Sequence, residues 1–174
     1  MIPRKFRELL KGRRGFTLIE ISVVIAITGI IGLGAAMATV QVLKQGARNA
    51  DYTAASRHAM NAVFWISRDA QMTQDFYPGG TSGFPLTLAW KEWDNSSHQV
   101  IYSVTDGELR RSYVIDGGEP REMLVAQYIR VASGNTTFAI NGGVANLKVT
   151  AVVGEGESAV SVTKVREIKP RPGL

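Results

Sequence analysis

From Ile21 to Leu43 the chain runs for 23 residues without a formal charge. A helix needs about 20 predominantly apolar residues to cross a bilayer. The run therefore predicts a membrane-length helix, and a soluble core helix this apolar is disfavoured. Beyond it the pattern becomes one-sided. Tyr52, Ala55, Ala59, Val63, Ile66 and Ala70 recur at spacings of three and four, while Arg57, Asn61 and Arg68 fall largely on other faces. That periodicity predicts an amphipathic helix. Pro78, the cluster Gly79-Gly80-Thr81-Ser82-Gly83 and Pro85 are expected to end it. A helix from Phe16 to about Phe76 would be about 90 Å long.

After residue 83 the period drops to two. "LTLAWKEW" (86–93) reads as a strand, and "QVIYSVTDGELRRSYVI" (99–115) as a hairpin turning on Asp106-Gly107. The two-residue turn sets Val104 opposite Leu109, Tyr102 opposite Arg111 and Val100 opposite Tyr113, all on one mostly apolar face. Thr105, Glu108, Ser103 and Arg110 line the polar face. One dry and one wet face suit a sheet that covers a helix. Arg111 sits awkwardly on the dry face, and stacking on Tyr102 is its expected accommodation. Further strands are predicted at 122–132, 136–140, 144–153 and 158–167, separated by glycine-rich breaks. The fold class is α+β: one long N-terminal helix, its second half packed on an antiparallel sheet of five to seven strands.

Charge sharpens the N-terminal reading. The chain carries a formal net charge of +5 from 20 Lys/Arg and 15 Asp/Glu. Residues 1–15 hold six of those cations (Arg4, Lys5, Arg7, Lys11, Arg13, Arg14) and one acid, Glu8, which leaves 14 cations against 14 acids elsewhere. The body is neutral, so nucleic-acid binding is not the default. The heavier basic flank places Met1–Gly15 on the cytoplasmic side and the rest outside. A plain signal anchor fits this pattern. So does a signal peptide cut after Ala36-Met37-Ala38, which would release a soluble binding domain, although the apolar run from Phe16 to Ala38 exceeds the usual length of such a segment.

Neither reading explains Glu20. A charge deep in a membrane helix costs roughly 2.5–3.5 kcal/mol, less near the interface, and asks for a partner. Cleavage between Gly15 and Phe16 would create an α-amino group, largely cationic at neutral pH. In an assembly of parallel helices, Glu20 of one subunit could neutralise the amine of another. Such a buried pair would favour one axial register.

"RRGFTLIEISVVIAITGIIG" resembles the leader and N-terminal helix of type IV prepilins and of the pseudopilins of type II secretion and competence systems. The matching motif is Gly15-Phe16-Thr17-Leu18-Ile19-Glu20, and the resemblance covers roughly residues 11–40. It implies cleavage after Gly15 by a membrane prepilin peptidase, N-methylation of Phe16 by the same enzyme, and a role for Glu20 in assembly. The implied partners are that peptidase/methyltransferase, other pilin or pseudopilin subunits and an inner-membrane assembly platform. The implied location is the cytoplasmic membrane, then an extracytoplasmic filament. On this reading the chain divides into a leader (1–15), an assembly helix (16–43), an amphipathic helix (44–76), a β-rich head (77–168) and a tail (169–174). The late run of strands is similar to minor pilins and minor pseudopilins. Many major pilins have a proline midway along the helix. Here none lies between Pro3 and Pro78, and Gly29, Gly32 and Gly34 are the only loosening residues. They would permit local melting, but glycine is also common in ordinary membrane helices.

No catalytic constellation accompanies the motif. The chain has no cysteine. His58 and His98 lack metal spacing and are expected at the surface. Gly79-Gly80 follows a helix rather than preceding one, and no Walker lysine follows. Asp94, Asp106 and Asp116 read as turn residues. Trp65, Trp90, Trp93, Phe84 and Tyr77 are expected as core aromatics between helix and sheet. The sequence thus predicts a structural subunit, not an enzyme, with no cofactor and no metal site.

Overall fold

Helix α1 runs unbroken from Leu18 to Met72 in the computed structural model, which describes residues 15–169. The expectations for leader residues 1–14 and tail residues 170–174 lie outside that range. Gly29, Gly32 and Gly34 do not interrupt the helix. Two units divide the chain, one up to Gly46 and one from Ala47 onward.

In the first unit every described residue is exposed, including Ile21, Ile25, Ile30, Leu33 and Leu43. The helix is long and apolar enough to cross a membrane. Its hydroxyls are satisfied within the helix. Ser22 donates to the Leu18 carbonyl at 2.9 Å, Thr28 to Val24 at 2.7 Å and Thr39 to Ala35 at 2.9 Å. Back-bonding of this kind leaves no bare hydroxyl for a hydrocarbon medium to penalise.

The second unit contains the rest of α1 and eight strands. Strands β1 (Asp75–Gly79), β2 (Gly83–Lys91), β3 (Ser97–Thr105), β4 (Glu108–Ile115) and β5 (Arg121–Ala126) form one antiparallel meander in sequence order. Strands β6 (Thr137–Asn141), β7 (Val144–Val153) and β8 (Val160–Ile168) form a second. The single sheet expected from sequence is therefore two. The chain leaves the first sheet after Ala126 and crosses to the second through Ile129, which bridges Ala151. Its amide also donates to the Gly107 carbonyl at 2.8 Å.

The β3–β4 hairpin has the register that its turn dictates: Val104 faces Leu109, Tyr102 faces Arg111 and Val100 faces Tyr113. Asp106 and Gly107 both have positive φ, 52° and 79°, the conformation of the primed turn that matches strand twist. Two other expectations are corrected. The helix stops at Met72 rather than near Phe76, because Thr73 and Gln74 are captured by β2: the Thr73 hydroxyl donates to the Ala89 carbonyl at 2.7 Å and the Gln74 amide to the same carbonyl at 3.1 Å. Phe76 and Pro78 then lie in β1, at an edge where proline costs no ladder bond. Tyr52, expected on the buried stripe, is 54% exposed. The first buried residue of α1 is Ala55, so the sheets reach no further back.

Ala55, Ala59, Ala62, Ile66 and Ala70 bury one face of α1 against Leu86, Leu88, Val100, Tyr102, Leu147 and Val149. Small residues on the helix leave room for large ones on the strands, which keeps the core at interior packing density. Between the sheets, Gly83 has φ +83°, and a Cβ there would lie 2.2 Å from the Phe138 carbonyl oxygen. Gly83→Ala is expected to destabilise the head by about 3 kcal/mol, combining backbone strain with overpacking. Thermal denaturation followed by circular dichroism checks this, with Gly142→Ala, where a Cβ meets open space although φ is also positive, as the strain-only control.

Candidate functional site

Thr17 opens α1, and Glu20 lies in its first turn. The Glu20 amide donates to Thr17 Oγ1 at 3.3 Å, and the Thr17 amide donates to Glu20 Oε2 at 3.5 Å. This reciprocal pair is a capping box, long in both bonds, which satisfies two of the amides that a helix start leaves unpaired. Thr-x-x-Glu before an apolar run is the sequence signature of such a box, so this second role of Glu20 was legible along the chain, beside the assembly role expected of it. Glu20 thus has a local partner in its own chain. A Cβ on Gly15 would meet nothing within 4 Å, and Phe16, Leu18 and Ile19 are 78%, 85% and 73% exposed. The six motif residues therefore form an exposed strip that enters the helix at Leu18. A peptidase could reach it, and other helices could cover it.

Residues 10–36 match the family model described as the prokaryotic N-terminal methylation motif. No curated protein and no solved structure matches the chain. The chain carries the type IV prepilin-like signature. Proteins defined by this motif are structural rather than enzymatic. The motif implies processing by a prepilin peptidase and assembly with other pilin subunits. The long apolar helix behind it is compatible with membrane anchoring, and the α+β architecture of helix followed by antiparallel sheet is pilin-like.

The head holds a second constellation that sequence reasoning only half found. Arg111 does not stack on Tyr102. Its Nε and Nη2 donate to Asp69 of α1 at 2.6 and 3.2 Å. Its guanidinium lies 5.5 Å from the Trp65 ring centroid and 4.8 Å from that of Tyr113. The Tyr102 hydroxyl donates to the same Asp69 carboxylate at 2.5 Å. Burial, then the Asp69 charge, pushes the Tyr102 phenol far above its ordinary range, so it stays a donor. Burial works against the Arg111 cation, but its bonds to Asp69 outweigh that and raise it. A carboxylate, a guanidinium and a phenol thus tie the last turns of α1 to β3 and β4. Asp69 was invisible from sequence because its partners lie 33 and 42 residues away.

The histidines also depart from expectation, since neither is a free surface residue. His98 is half-buried and stacks on Trp90, with ring centroids 5.3 Å apart. It contacts the Ser96 hydroxyl at 2.9 Å and the Tyr113 hydroxyl at 2.5 Å. His58 accepts the Gln127 amide on Nδ1 at 3.1 Å and meets the Tyr128 ring edge-on. Burial, then the Arg57 charge, lowers the His58 pKa below its ordinary 6.5. The unfolded chain therefore takes up the proton first as pH falls. The stabilisation is complete above about pH 6.5 and is lost as pH drops through that value toward the folded pKa. A melting temperature that falls between pH 7 and 5, with a smaller slope in His58→Gln, is the expected result.

Of the aromatics, Trp90 and Phe84 are buried as expected. Trp93 and Tyr77 are not, at 90% and 58% exposed. The turn aspartates do local work. Asp94 accepts the Ser96 amide at 2.9 Å, and Asp116 accepts the Ser97 amide at 2.7 Å.

Proposed function

We propose that this chain is a filament subunit, most consistent with a minor pilin or minor pseudopilin of a type IV pilus, a type II secretion system or a competence pseudopilus. It is inserted with residues 1–15 inside and the head outside, cut between Gly15 and Phe16, N-methylated at Phe16 and assembled through its N-terminal helix. Its inner-membrane partners are the prepilin peptidase/methyltransferase, other subunits and the assembly platform. Its role is mechanical, without cofactor or catalysis. The observation that carries this reading is Gly15-Phe16-Thr17-Leu18-Ile19-Glu20 set at the start of a helix whose apolar surface is bare from Phe16 to Leu43. Apolar surface of that extent, exposed in the isolated chain, must be covered by lipid or by other helices.

Mass spectrometry of the mature N-terminus from native membranes tests the proposal. N-methyl-Phe16 is the expected result. Thr39 at the N-terminus would instead establish signal-peptide cleavage after Ala38 and a released binding domain. An intact Met1 would leave a plain membrane anchor. Either of the last two results refutes the filament assignment.

A further inference from the structure

The chain holds six asparagines. The side-chain amide of an asparagine can be attacked by the main-chain nitrogen of the next residue, provided that nitrogen is free to lose its proton and the two groups are free to approach. Most of the six fail these conditions. Asn49 and Asn61 lie in α1, where the amide of the next residue is committed to a helical hydrogen bond. After Asn95, the Ser96 amide donates to Asp94 Oδ1 at 2.9 Å. Asn135 donates its own Nδ2 to the Ala132 carbonyl at 2.9 Å, and Thr136 behind it is buried. Asn146 lies in β7, the central strand of its sheet, and is followed by the buried Leu147.

Asn141 meets both conditions. It is exposed at the end of β6 and is followed by Gly142, whose amide has no main-chain acceptor among the described residues. Gly142 offers no Cβ to hinder the approach. Gly142 and Gly143 have φ of 58° and 79°, and a Cβ on either would meet nothing within 4 Å, so the turn packs against nothing. Opening it is therefore cheap. β6 is an outer strand of its sheet, and its last three residues, Ala139, Ile140 and Asn141, are exposed. Ends of this kind open locally at far less cost than the whole domain. Opening releases Asn141 from the strand conformation and lets its Cγ reach the Gly142 nitrogen. Asp106-Gly107 and Asp116-Gly117 set the same glycine after a carboxylate, which is a poorer electrophile than an amide.

We propose that Asn141 is a site of spontaneous deamidation in the folded head, with water as the only co-reactant. The Gly142 nitrogen gives up its proton and bonds to Asn141 Cγ. The Cγ–Nδ2 bond breaks, and the nitrogen leaves as ammonia. Water then opens the five-membered imide. Attack at Cγ gives aspartate, and attack at the main-chain carbonyl gives isoaspartate, with the chain rerouted through Cγ. Both products place a negative charge on the turn. Isoaspartate also adds a methylene to the backbone at the residue that pairs with Val144, so the two-residue turn no longer sets the register of β6 on β7. The proposal stands independently of the N-terminal motif.

The test incubates the full chain in detergent micelles at mildly alkaline pH in heavy-oxygen water, with peptide mapping by mass spectrometry at intervals. A parallel sample in urea shows when an unfolded Asn141-Gly142 has converted. The expected result is conversion of native Asn141 within that period, with labelled oxygen in the new carboxyl group and both aspartate and isoaspartate among the fragments, while Asn95 and Asn135 stay intact. Asn141→Gln should lose the conversion and keep the native melting temperature, since glutamine must close a larger, slower-forming ring and the position is exposed. Asp94→Ala frees the Ser96 amide and should raise conversion at Asn95. Native Asn141 still intact when the urea sample has converted overturns the proposal, as does conversion of another asparagine at the same rate. No rise at Asn95 in Asp94→Ala overturns the free-amide criterion that singles out Asn141.

Discussion

Asp69→Ala is expected to destabilise the head by about 3–5 kcal/mol, the range for breaking one side of a buried ion pair. The effect is large because two groups lose their partner together. Arg111, with 13% of its side chain exposed, keeps its charge with no counter-ion, and the buried Tyr102 hydroxyl keeps a donor with no acceptor. The fully buried Tyr102 hydroxyl cannot turn to bulk water without opening the packing of α1 on β3 and β4. The melting temperature should fall by about 10 °C or more. Replacing all three groups by apolar ones (Asp69→Leu, Arg111→Met, Tyr102→Phe) should recover most of the loss, since a well-packed apolar substitute for a buried pair is often neutral. Thermal melts of the single and triple variants check both halves. A single variant within about 1 kcal/mol of the native protein would mean that water reaches the pair and that it contributes no more than a surface bridge.

Glu20→Ala is expected to leave membrane insertion and cleavage at Gly15 intact and to abolish incorporation into filaments. Two functions of the carboxylate compete to explain such a loss. One is the proposed pairing with the Phe16 amine of a neighbouring subunit, where an uncompensated buried charge is expensive. The other is the capping box, in which Glu20 accepts the Thr17 amide. Glu20→Gln separates them, because glutamine also completes a capping box but carries no charge. If pairing governs assembly, Gln and Ala fail alike. If capping governs it, Gln assembles and only Ala fails, and the second defect should be small because a cap is worth about 1 kcal/mol. Filament fractions from cells expressing each variant, blotted alongside membrane fractions, give the answer. Normal assembly of Glu20→Gln would falsify the charge-pair explanation.

Much of the fold was legible along the chain because the signals were local and repeated. The apolar run needed only its length. The hairpin register needed only Asp106-Gly107, since a two-residue turn leaves no freedom in which residues face each other. The helix end was misplaced because nothing in the local pattern showed that β2 would capture Thr73 and Gln74. The division into two sheets was also hidden. Strands that alternate inward and outward look alike whether they extend one sheet or start another, and the separation depends on where the chain crosses after Ala126.

The sequence by itself determined the N-terminal motif, the membrane-length helix, the neutral body and the order of the strands after β1, whose residues it read as helix end and turn. Each depends on composition or on spacings of a few residues, which the backbone reads without long-range contacts. Only the tertiary structure decided what the polar residues on apolar faces do. Arg111 found Asp69, His58 found the Gln127 amide, and Trp93 was left bare while Trp90 was covered. These pairings join residues far apart in the chain, and a buried charge or donor takes whatever partner the packing brings within about 3 Å of it. That choice is made by the fold, after the pattern has done its work.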